Sequence, residues 1–169
     1  MGTSNSENKQ LFFDLMLDLK PERVLDVGAG EGIYCDILKR INTDINVTAV
    51  EIWKPYIEQF NLSEKYDEVI EGDVRELENF DYDLVIFGDV LEHMTREEAI
   101  AVWEKTKLQA RYAFISIPIV HYPQDDLNNN PYEVHVEEDW TYQEVLDTFG
   151  DFIIHIPFQY TGSFLCKFN

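Results

Sequence analysis

The sequence predicts an α/β fold: a doubly wound, mostly parallel seven-stranded sheet with an antiparallel C-terminal edge hairpin and helices on both faces. Three observations carry this. Strand and helix signals alternate along most of the 169-residue chain, the pattern of a parallel sheet with crossover helices. The run YDLVIFGD is almost continuously apolar, as a central parallel strand covered on both faces must be. The chain then closes on two apolar runs, FIIHIPF and TGSFLCKF, joined by a turn.

Each element follows in order. Ser4 and Glu7 have capping-box spacing, and Leu11, Phe12, Leu15, Met16 and Leu19 mark one face of an N-terminal helix within residues 1–20. Pro21 stops that helix before strand RVLDV. Ile33, Ile37, Leu38 and Ile41 form the stripe of the next helix, followed by strand VTAV, a helix after Pro55, strand EVIEG, a helical turn near Glu76 and strand YDLVIFGD. A second capping box, Thr95 with Glu98, opens a helix through Ala99, Ile100, Trp103 and Leu108, and strand AFISIPI follows. Thr141 and Glu144 make a third box, with Val145, Leu146 and Phe149 behind it and Trp140 placed as a staple. His155 falls in an apolar strand, where a satisfied core or edge residue is expected. No repeat, linker or low-complexity tract divides the chain, so residues 1–169 are expected to form a single domain.

Residues from 119 to 140 are polar and without period. Stretches of that length inside compact domains are lids, binding loops or disorder. The position after the fifth strand and the anchors Tyr122, Tyr132 and Val134 favour a lid over the carboxyl edge of the sheet, where open sheets of this type bind their ligands.

Charge and cysteine usage exclude several classes. Thirty-three acidic residues face 13 basic ones, for a net charge of -20. Such a field repels polyphosphates and anionic membranes and offers no footprint to nucleic acid. A solvated acidic surface and halophilic adaptation both account for it. Cys35 and Cys166 have no metal-type or redox-type spacing, the N-terminus is polar, and the apolar run AFISIPIV is too short to span a bilayer. A cytoplasmic protein is expected.

The stretch VLDVGAGEG at residues 24–32 carries most of the functional information. A dinucleotide fingerprint needs glycine at the sixth position, where this chain has Ile33, and a P-loop needs a Gly-Lys-Ser/Thr ending that is absent. Asp26 and Glu31 would repel a phosphate. The glycines bring backbone close to a ligand, and the acids favour a cation.

VLDVGAGEG resembles the cofactor loop of class I S-adenosylmethionine-dependent methyltransferases. VTAVEIW, EGDVRE, FDYDLVIFGDVLEHM and ISIPI resemble further pieces of the family in the same order, from about residue 20 to 150. The resemblance implies S-adenosylmethionine as cofactor, held by Asp26, Gly28 and Gly30 of the loop. It places Glu51 and Ile52 at the ribose, Asp73 and Val74 at the adenine, and the Gly88 carbonyl near the methionyl amine. Asp26 also reads as a buried organiser of the loop, and Asp73 as an N-cap. A cofactor with a sulfonium and an ammonium suits an acidic cleft.

A hydroxyl nucleophile needs a base or a metal, whereas an amine needs only to be neutral. His93, His121 and His135 are the candidate catalytic groups, the last two bracketing the lid. Asp89, Glu92, His93 and His135 resemble an acid-x-x-Glu-His set with a distal histidine found in metal-assisted O-methyltransferases. That set implies a possible site for Mg²⁺ or a similar ion. Glu92 and His93 read equally as the start of the next helix. The expected function is methyl transfer from S-adenosylmethionine to a hydroxyl or amine of a small or exposed polar acceptor. A non-catalytic S-adenosylmethionine-binding sensor or partner subunit is the alternative. Ile33 and the later motifs argue against a nicotinamide-dependent oxidoreductase.

Overall fold

The structure is a computed structural model that describes residues 8–168. The Ser4–Glu7 capping box lies outside the described residues. Seven strands form one sheet in the order β3-β2-β1-β4-β5-β7-β6: β1 Arg23–Val27, β2 Asn46–Glu51, β3 Glu68–Glu71, β4 Leu84–Gly88, β5 Tyr112–Pro118, β6 Phe152–Pro157 and β7 Thr161–Lys167. The first five are parallel to one another, and β7 runs antiparallel between β5 and β6.

The helices cover both faces. Helices α1 (Lys9–Leu19) and α2 (Ile33–Ile41) pack on one face, and α5 (Arg96–Gln109) and α6 (Tyr142–Phe149) on the other. The short helices α3 (Lys54–Gln59) and α4 (Leu62–Lys65) connect β2 to β3. Strand β4 shows why its sequence lacks alternation. Leu84 and Ile86 enter the core with Phe12, Met16 and Leu38, whereas Val85 and Phe87 enter the opposite core with Trp103. Both sides of the pleat are dry, so neither tolerates a polar residue.

Both described capping boxes form as expected, at Thr95 with Glu98 and at Thr141 with Glu144. The buried face of α5 is Ala99, Val102, Trp103 and Thr106. Ile100 and Leu108, expected on it, are 40% and 84% exposed because they fall off that stripe. Trp140 is buried and stacks on Phe149, with ring centroids 5.5 Å apart. Strand β6 is a solvent edge, with Ile153 and His155 both exposed. The His155 ring meets the Tyr142 hydroxyl there.

The strand order reverses between β1 and β4, since the chain moves from β1 outward to β3 and then returns to β4 and β5. Where such a reversal occurs, the connections diverge and leave a crevice at the strands' carboxyl ends. Among the described residues, no helix is long and apolar enough to cross a membrane.

Candidate functional site

A cleft of about 480 Å³ opens at that crevice. Its floor is the glycine turn after β1. Gly28 has φ +66°, its N–H donates to the Val50 carbonyl at 2.8 Å, and an added Cβ would lie 2.6 Å from Val90 Cγ2. Left-handed backbone and that close approach both require glycine. Gly88 has a related reason: an added Cβ would meet the Tyr34 ring at 2.1 Å.

Glu51 ends β2 and is buried. One carboxylate oxygen accepts the Gly30 N–H at 3.1 Å and the other accepts the Trp53 N–H at 2.8 Å. The side chain therefore ties the glycine loop to the start of α3, and each oxygen keeps a second acceptor site for a ligand hydroxyl. Burial pushes its pKa up against these amide bonds. Ile52, Asp73, Val74 and Gly88 also line the cleft. Asp73 caps the 3-10 turn Val74–Glu76 by accepting the Arg75 N–H at 2.9 Å, and its carboxylate pairs with the Arg75 guanidinium at 2.5 Å. That pairing holds its pKa below the usual carboxylate range despite partial burial.

Asp26 takes the buried position that its reading as an organiser of the loop expected. It is 1% exposed, does not line the cleft, and accepts the Tyr66 hydroxyl at 2.6 Å beneath the loop. Burial raises its pKa to about 7, against the pull of that hydrogen bond and of Lys9.

The open end of the cleft is built from two distant segments. After β4, the turn Leu91–His93 presents Glu92 and His93. The 119–140 segment brings His135, Tyr122, Gln124, Tyr132 and Glu133 to the same space. His93 Nδ1 lies 3.1 Å from the Val134 carbonyl and His135 Nδ1 lies 2.6 Å from the Tyr122 carbonyl. A carbonyl only accepts, so each Nδ1 carries the proton and each Nε2 keeps its lone pair. Burial lowers both pKa values and favours these neutral forms. The two rings are 4.9 Å apart at 68°. Glu92 is 1% exposed, and neither carboxylate oxygen has a hydrogen-bond partner among the described residues. Burial, with Asp89 nearby, drives its pKa well up. Ligand atoms of Glu92, His93 and His135 all lie within 4.8 Å of one another.

Two sequence candidates are not part of this cluster. His121 does not line the cleft; its side chain is 62% exposed and pairs with Asp139 at 2.7 Å. His135 has His93 as its partner at the base of the segment instead. Asp89 lines the cleft but accepts the Ser116 hydroxyl at 2.8 Å, from a backbone with φ +57°. Its carboxylate is thus engaged on β5 through Ser116, and it is not one of the three groups whose ligand atoms converge.

A methyltransferase-domain family model matches residues 25–106. That match, to a methyltransferase domain, covers a little under half of the chain.

Similar solved structures agree in fold with that match. A candidate O-methyltransferase of Nostoc punctiforme PCC 73102 is 18% identical with a TM-score of 0.71, over 96% of this chain and 56% of that one. The present chain thus spans little more than half of that protein. A Clostridium acetobutylicum S-adenosylmethionine-dependent methyltransferase is 10% identical with a TM-score of 0.72, over 99% and 93%. The N-terminal domain of EvdMO1, solved with S-adenosylhomocysteine bound, is 12% identical with a TM-score of 0.70, over 98% and 82%. No curated protein sequence matches the chain.

The cleft wall also includes Tyr122, Gln124, Asn130, Tyr132, Glu133, Tyr160 and Thr161, which had no assigned place in a site. Tyr122 and Tyr132 were legible only as apolar anchors. Asn130 is buried in a polar segment and caps the 3-10 turn Pro131–Glu133. The Asn-Pro pair carries that signal in the sequence.

Proposed function

We propose that this protein transfers the methyl group of S-adenosylmethionine to a hydroxyl of a polar, neutral or cationic acceptor. The observation that carries the reading is the pair of neutral imidazoles, His93 and His135, whose Nε2 lone pairs share the acceptor end of the cleft with the buried Glu92. In the cleft, Glu51 would hold the ribose hydroxyls with its remaining lone pairs, Asp73 and Val74 would bind the adenine, and the Gly88 carbonyl would accept from the methionyl amine. Asp26 supports this loop from below through Tyr66. Six acids line the cavity (Glu31, Glu51, Asp73, Asp89, Glu92 and Glu133) beside one arginine, Arg75, which suits a ligand bearing a sulfonium and an ammonium.

Methyl transfer is an in-line displacement at an already activated carbon, so positioning and a proton acceptor supply most of what is needed. An imidazole held by a carbonyl on its far nitrogen is oriented to take the acceptor's proton. The 119–140 segment excludes water from that transfer and walls the acceptor with Tyr122, Tyr132 and Gln124. Glu92, His93 and His135 would also suit a divalent cation, with a buried carboxylate that has no hydrogen-bond partner among the described residues beside two oriented imidazoles; such an ion would lower the pKa of a hydroxyl bound to it. The free thiols of Cys35 and Cys166 accord with work in a reducing compartment.

Calorimetry and a transfer assay test the proposal together. S-adenosylhomocysteine binds and NADH does not, and labelled methyl is transferred to a member of a panel of neutral and cationic hydroxyl compounds. Transfer confined to amines, or binding without any transfer across the panel, overturns the acceptor reading.

A further inference from the structure

Beneath the floor of the cleft lies a small buried group of charges. Asp26 stands in β1 two residues before Gly28, with a carboxylate that solvent does not reach. Tyr66, which ends α4, donates its hydroxyl to that carboxylate at 2.6 Å. The Tyr66 ring also packs under the loop, where a Cβ on Gly32 would meet it at 3.4 Å, and the neighbouring Lys65 ammonium donates to the Glu31 carbonyl at 2.8 Å. Asp26 is thus tied to the glycine loop along the chain and again through Tyr66. The other ionisable groups that act on it or feel it are Lys9 from α1, Tyr34 and Cys35 from α2, and Glu51 from β2. Lys9 stands over the Tyr34 ring, 3.7 Å from its centroid, and is drawn to Asp89 as well.

We infer that Asp26 is the counter-charge by which this cleft tells the sulfonium cofactor from the product left after transfer, and that it does so by exchanging a proton with solvent. Transfer breaks the bond between sulfur and the methyl carbon, and the electron pair of that bond returns to sulfur. S-adenosylmethionine, with a sulfonium, an ammonium and a carboxylate, carries one net positive charge, and S-adenosylhomocysteine carries none. A buried carboxylate feels that difference of one charge more strongly than a solvated one does. Burial raises the Asp26 pKa to about 7, while Tyr66 and Lys9 pull it down and Glu51 pushes it up. A cation arriving over the loop favours the ionised carboxylate and expels the proton, whereas the neutral product leaves the proton in place. Affinity for the cofactor therefore rises with pH through 7 and affinity for the product stays level. The product competes best below pH 7.

The inference rests on the proposed seat of the cofactor over the glycine loop, and its test separates the two. Calorimetry with each ligand, in buffers of different ionisation enthalpy, counts the protons released on binding. At pH 7, S-adenosylmethionine is expected to expel about a quarter to half of a proton from wild type that it does not expel from Asp26→Asn. S-adenosylhomocysteine shows no such difference. The cofactor's own amine, which titrates near about pH 8, contributes equally in both proteins and cancels. Between pH 6 and 8 the preference for cofactor over product is expected to rise at least about twofold more in wild type than in Asp26→Asn. Tyr66→Phe removes a donor that favours the ionised carboxylate, so its release should peak at higher pH, and it serves where Asp26→Asn fails to fold. Lys9→Gln should move the peak the same way. Loss of the release in that variant would give the proton to Lys9, whose pKa burial brings down to about 8, and would overturn the inference. Equal release by wild type and Asp26→Asn, or an Asp26-dependent release of the same size with both ligands, overturns it and leaves the cofactor seat standing. Binding of neither ligand overturns that seat and the inference with it.

Discussion

The two ends of the cleft are made by different means. At the cofactor end, each polar group sits within a few residues of a strand terminus, and the contacts are largely to backbone: Gly28 to Val50, Glu51 to Gly30 and Trp53, Asp73 to Arg75. At the acceptor end, the groups come from segments about forty residues apart and meet only because the 119–140 segment folds back as a strap on the turn after β4. A site hung on strand ends inherits the rigidity of the sheet and a fixed spacing in sequence. A site closed by the 119–140 segment depends instead on that one segment folding back, and its spacing in sequence is set by nothing local. One half is built to hold, the other to admit.

The sharpest way to break this contrast is to remove the strap's tip. Replacing residues 124–131 with a Gly-Ser linker deletes Gln124, Leu127 and Asn130 from the wall. Transfer is expected to fall at least about 100-fold, as misplacing reacting groups by an ångström does. S-adenosylhomocysteine affinity is expected to change less than about tenfold. A comparable loss of both would show the two ends to be one unit. At the other end, Glu51→Ala is expected to weaken S-adenosylhomocysteine binding about 10- to 100-fold, or about 1.5–3 kcal/mol, by calorimetry. Unchanged affinity would remove Glu51 from the ribose site and leave it a loop tie only.

Gly88→Ala probes the rigidity of the floor. Its new methyl group has no space against Tyr34, so a loss of about 1–3 kcal/mol in unfolding stability is expected by denaturant melts. The smallest effect concerns Asp26. Its folded pKa of about 7 lies above the ordinary value of 3.8, so the folded chain binds a proton that the unfolded chain releases. Lowering the pH through 7 should therefore stabilise the ligand-free protein, by under about 1 kcal/mol between pH 7.5 and 6.5. Asp26→Asn should flatten that slope, shifting the difference in Tm between the two pH values by a few degrees.

The glycine-loop end of the cleft was legible in the sequence for a physical reason. A turn that must hold glycine, and an acid at a strand end about twenty residues on, leave a local record. Asp26 is the instructive exception. A buried carboxylate and an exposed ligand acid look alike in a string, and only the Tyr66 hydroxyl, forty residues away, settles its place. The acceptor end left a weaker trace. His93, His121 and His135 were equal candidates because nothing local states which of them the strap turns inward. The left-handed backbone of Asp89 was equally hidden, since aspartate adopts it without a glycine to announce it. Leu108 misled in the opposite sense: an apolar residue on a helix need not be on its buried stripe.

The position of β7 bears on how the chain comes to be folded. It is the last strand described, yet it is an interior one, wedged between β5 and β6 and contributing Phe164 and Cys166 to one core and Leu165 to the other. The five parallel strands can assemble as the polypeptide emerges from the ribosome, but β5 then presents an open, apolar edge. That edge stays bare until about fifty further residues have been made and β7 turns back to fill it. Until then the exposed edge is where an unfinished copy is most prone to join another.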